Sequence, residues 1–68
     1  MNDPRTFRVK FNEPDGPTLT FDLMAKNSRA AVATVRAGTP PGTNVTSVDL
    51  KTGPYSWQPV DPYFWRGK

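Results

Sequence analysis

The sequence predicts a single α+β domain of ββαβ order. It expects a three-stranded antiparallel-type sheet with one short helix on one face, plus an extended aromatic, proline-rich C-terminal arm. Three observations point there: two strictly alternating runs flank a Pro-Asp-Gly turn, an alanine-rich stretch lies between a capping residue and a glycine, and a third alternating run follows a proline-rich connector. With 68 residues there is room for one small domain, and such a chain buries only about 60% of the surface its unfolded form exposes.

Residues 1–5 read as a frayed start. From Phe7, apolar Phe7, Val9 and Phe11 alternate with Arg8 and Lys10, the period-two signature of a half-buried strand. Pro14, Asp15 and Gly16 then favour a tight reversal, because Pro presets one turn dihedral and Asp and Gly tolerate the others. A second alternation sets Leu19, Phe21 and Leu23 against Thr18, Thr20 and Asp22, which completes a hairpin with Phe7, Phe11 and Phe21 turned inward. The period changes at Asn27 or Ser28, either of which can cap a helix by accepting from an orphan amide one turn later. The helix is expected over Arg29–Ala37, with Ala31, Val32 and Val35 on one face, Arg36 complementing the dipole and Gly38 ending it. A helix this short is not stable alone and must lie on the sheet. After the stiff connector Thr39–Thr43, a third strand is expected over Asn44–Lys51. Val48 and Leu50 share a face there while Val45 has the opposite parity, so either a bulge lies near Val45 or that residue packs against the helix end.

The predicted division is therefore a core domain over residues 1–53 and an arm over residues 54–68. Pro54, Pro59 and Pro62 exclude a helix and a central strand from the arm. Tyr55, Trp57, Tyr63, Phe64 and Trp65 nevertheless give it five of the eight aromatics in the chain. Solvating tails are poor in aromatics, so these rings are expected to bury on the domain, on a second copy or on a partner. The strands and helix are expected to stay folded without the arm.

Composition narrows the chemistry. There is no Cys and no His, which removes disulfides, ordinary zinc sites, thiol nucleophiles, imidazole bases and haem or iron–sulfur ligation. Ser28, Ser47 and Ser56 have no base at a useful spacing. Of the carboxylates Asp3, Glu13, Asp15, Asp22, Asp49 and Asp61, Glu13 and Asp15 fall in the turn and Asp22 and Asp49 at outward strand positions, and a single three-stranded sheet offers little cavity for a substrate. The chain is accordingly expected not to be an enzyme and to need no cofactor. No apolar run is longer than Ala30–Ala33, so neither a membrane span nor the apolar core of a signal peptide is expected, and the expected compartment is cytoplasmic. The net charge of +3 comes from scattered basic residues among interleaved acids. Arg8, Lys10 and Lys51 are the candidate nucleic-acid contacts, with the arm aromatics available to stack on bases. Trp and Tyr also dominate protein-interface hot spots, and a proline-stiffened segment loses less entropy when it docks. Tyr55, Trp57, Tyr63, Phe64 and Trp65 are therefore the candidate partner-binding residues.

From Phe7 to Leu50 the chain resembles the small strand-strand-helix-strand proteins with which T7-like phages inhibit host RNA polymerase. The resemblance rests on Phe7-x-Val9, a turn, Phe21 running to Ala25 before the helix cap, an alanine-containing helix, Pro40-Pro41-Gly42 and Val45-Thr46-x-Val48. It implies the same fold and a phage-type accessory role, in a virion or in the host cytoplasm. Those inhibitors are acidic and carry arginines around the third strand, where this chain has Ser47 and Asp49, so no polymerase-binding residue is carried over. The reading from sequence is a non-enzymatic adaptor that docks on a larger protein assembly, with self-association as a further possibility. A small basic nucleic-acid-binding module is the alternative.

Overall fold

The computed structural model describes residues 4–66. Strands β1 (Arg5–Asn12) and β2 (Thr18–Ala25) form the expected hairpin, helix α1 (Ser28–Ala37) follows, and β3 (Asn44–Lys51) pairs with β1 on its other side. A fourth strand, β4 (Trp57–Pro59), completes an antiparallel sheet of order β2-β1-β3-β4, and a 3₁₀ turn spans Pro62–Phe64. Arg5 is already in the sheet, and the rest of the expected fray over residues 1–3 lies outside the described residues.

Local chemistry accounts for each element. The Gly16 amide donates to the Glu13 carbonyl and closes the turn that Pro14 and Asp15 favour. Asn27 is the helix cap: its Oδ1 accepts from the Ala30 amide at 2.8 Å, while the Gly38 amide reaches the Val35 carbonyl at the far end. Ser28, Ala31, Val32 and Val35 form the buried stripe, at the spacing of one helical face. Gly42 has φ of 91°, and a Cβ added there would meet Pro14 at 3.1 Å. Both the turn and this close approach therefore select glycine.

The parity conflict in the third strand resolves as a bulge. Lys10 pairs with Ser47 and Phe11 with Val45, so Thr46 is the extra residue, and its Oγ1 donates to the Lys10 carbonyl. The insertion returns Val45 to the helix-facing side, where it is buried with Val48. The core is Phe7, Val9, Phe11, Val45 and Val48 from the sheet, Ala31, Val32 and Val35 from the helix, and Trp65 from the C-terminal segment.

Three expectations need correction. The sheet has four strands rather than three. The segment after residue 53 does not extend away as an arm: Thr52 donates to the Ser56 carbonyl across a tight turn at Gly53, β4 pairs with β3, and the Val60 amide continues the ladder to Val48 at 2.8 Å. Prolines are compatible with this because β4 is an edge strand. Finally, Leu19 and Phe21 face the helix side but stay exposed, Phe21 at 52%. They belong to the other edge strand, which has a neighbour on one side only, and the small side chains of α1 do not reach out to cover them.

Candidate functional site

The helix-free face of the sheet gathers the charges. Register places Asp22 and Asp49 on either side of Arg8, in β2 and β3. The Arg8 guanidinium grips Asp22 with two hydrogen bonds, Nε to Oδ1 at 2.9 Å and Nη2 to Oδ2 at 3.2 Å. That bond lifts the Arg8 pKa and holds the Asp22 carboxyl below its ordinary value, with burial opposing both shifts. Trp57, brought beside β3 by β4, lies with its ring centroid 4.0 Å from the Arg8 Cζ, and the Lys51 Nζ is 5.9 Å away. Arg8 is thus paired with a carboxylate and covered by an aromatic ring, a cation–π arrangement that engages its Nε–Nη2 side within its own domain. Lys10 is exposed on the same face, and Lys51 lies at the rim.

The candidate aromatics divide sharply. Trp65 is only 3% exposed, and its Nε1 donates to the Val60 carbonyl at 3.2 Å. It caps the core beside Val32, so of the five rings expected to contact a partner it is the one held inside the domain. The reason is architectural: three strands and a helix of small residues leave an open end of the core that only a large ring fills. Trp57 is half-buried over Arg8. Tyr63 and Phe64 stand out, 81% and 59% exposed, and Tyr55 at 95% tips the β3–β4 turn.

The exposed pair is held rather than loose. Asp61 Oδ1 accepts from the Tyr63 amide at 2.9 Å, the Phe64 amide donates to the Asp61 carbonyl, and the Trp65 and Arg66 amides both donate to the Pro62 carbonyl. The rings of Tyr63 and Phe64 meet edge to face, with centroids 5.4 Å apart. Just beyond, an open cleft of about 500 Å³ between α1 and this segment is lined by Arg29, Arg36 and Arg66 over Val32, Ala33 and Trp65. The arginines were not singled out from sequence, because they converge only once Trp65 docks against the helix. The seven-residue spacing of Arg29 and Arg36 was the one available signal.

Among the described residues, no three Asp or Glu side chains are grouped to hold a metal ion, and no helix is long and apolar enough to cross a membrane. No protein-family model, curated protein or solved structure matches the chain.

Proposed function

We propose that this chain is a non-enzymatic accessory or adaptor of phage type. In this reading it docks on a larger protein assembly, a virion or a host machine such as RNA polymerase, through Tyr63 and Phe64, with Tyr55 and Trp57 at the margins. One observation carries the reading: two large rings in mutual contact are exposed on a turn whose next residue, Trp65, is locked in the core. Exposed aromatics on a pre-ordered backbone have the makings of a hot spot, since the entropy of ordering the segment is already spent in folding. Truncating a ring that acts as a hot spot costs about 2 kcal/mol or more, roughly thirtyfold in affinity. The arginine-lined cleft beside the turn adds charge selectivity and favours an acidic partner surface.

The test is affinity capture from a nuclease-treated host lysate, comparing the wild-type chain with Tyr63→Ser/Phe64→Ser. The expected result is a discrete set of captured proteins that the double variant loses. Capture that vanishes on nuclease treatment, or that the double variant retains, would overturn the reading.

A further inference from the structure

The two edges of the sheet are built differently. β4 spans only Trp57–Pro59 and ends in a proline, which blunts it against another strand. β2 runs for the full length of Thr18–Ala25 with no proline, lysine or arginine, and its pairing with β1 is regular from end to end. Among the described residues, no strand lies beside its outer backbone groups. Leu19, Phe21 and Met24 are exposed along it, and Phe21 also walls an apolar groove of about 340 Å³ with Phe11 and Val35. Sheet proteins protect such an edge or use it.

We propose that β2 is the seam of a symmetric dimer, pairing antiparallel with β2 of a second copy about a two-fold axis at Phe21. Self-complementarity argues for this occupant, and length of overlap for this register, since an axis at Thr20 would pair only residues 18–22. Centring on Phe21 sets Phe21 against its own copy and Leu19 against Leu23 on the helix side, and Thr20 against Asp22 on the other. The pairing extends from Thr18 to Met24, like charges never face each other, and each Thr20 hydroxyl can donate to a carboxylate. Moving the axis to Asp22 opposes two carboxylates, which is destabilising across a sheet. Shifting by a single residue sets Phe21 against Asp22 and puts the helices on opposite faces. The Phe21-centred register joins two four-stranded sheets into one with both helices on the same side, and the two Phe21 rings close over the grooves. This surface is distinct from Tyr63 and Phe64, so dimerisation and docking stand or fall separately.

Sedimentation equilibrium from micromolar to submillimolar concentration tests the proposal. The wild-type chain is expected to approach twice its 7.6 kDa mass. Phe21→Lys, a change at an exposed position that sets two ammonium groups against each other on the axis, is expected to stay at 7.6 kDa with its circular dichroism unchanged. Because the chain has no cysteine, Phe21→Cys is expected to form an intermolecular disulfide under mild oxidation. Met24→Cys, which opposes Thr18 in this register, is expected to form little. A wild-type chain that stays monomeric throughout, a dimer that survives Phe21→Lys, or cross-linking at position 24 rather than 21 would each overturn the proposal.

Discussion

Arg8 shows how a basic residue on a sheet can be spoken for within its own domain. Asp22 and Asp49 flank it in register and Trp57 covers it, so the first strand contributes structure at that position instead of a free positive charge. The Asp22 carboxyl is held below its ordinary pKa by the Arg8 hydrogen bond. Its contribution to stability is therefore complete above the unfolded carboxylate pKa and is lost as pH falls through the lowered folded value. Asp22→Asn is expected to flatten that part of the acid limb when thermal melts are recorded as a function of pH. The effect should be small and weaken with salt, because both side chains are well exposed. Duplex-DNA binding is expected to be weak and gone by physiological salt, with Arg8→Ala making little difference. Retained submicromolar affinity that depends on Arg8 and Lys10 would bring back the nucleic-acid alternative.

At the scale of elements, Asn27 caps the start of α1 through its side chain, and Asn27→Ala is expected to cost about 1 kcal/mol in denaturant melts. The strands, the hairpin turn, the helix and its cap were legible in the sequence because each is written in local chemistry: alternation, a Pro-Asp-Gly reversal, a capping side chain. The Val45 bulge was legible as one of two alternatives, since a parity fault records that a residue is extra but not where it goes. The last segment was not legible as a strand. Trp57–Pro59 is too short for a period to show, and Pro54, Pro59 and Pro62 argue against a central strand without revealing that an edge was available. The aromatics of this segment stand out in the sequence, but nothing local distinguishes Trp65, which faces inward, from Phe64, which faces outward. That distinction depends on the gap left by the small residues of α1. The structure therefore reverses one expectation. Removing residues 54–68 strips β4 from β3 and Trp65 from the core, and the truncated chain is expected to lose its cooperative thermal transition. Amide exchange should show no protected β3 in that product.

The whole molecule is small enough that no core residue is spare. Its sheet has one face under the helix and one face that carries the charges, with Arg8 and Asp22 paired, one edge blunted by Pro59 and one left open along β2. Its C-terminal segment does two jobs within adjacent residues: Trp65 closes the core, and Tyr63 and Phe64 project from the turn it fixes. Thermal unfolding of two variants side by side tests that division most directly. Trp65→Ala removes a buried ring and is expected to cost about 3–5 kcal/mol, a fall in Tm of more than about 10 °C in a domain of this size. Tyr63→Ser/Phe64→Ser alters exposed side chains and is expected to stay within about 1 kcal/mol of wild type. A steep loss of Tm in the double variant, or a Trp65→Ala chain that melts like wild type, would contradict the account.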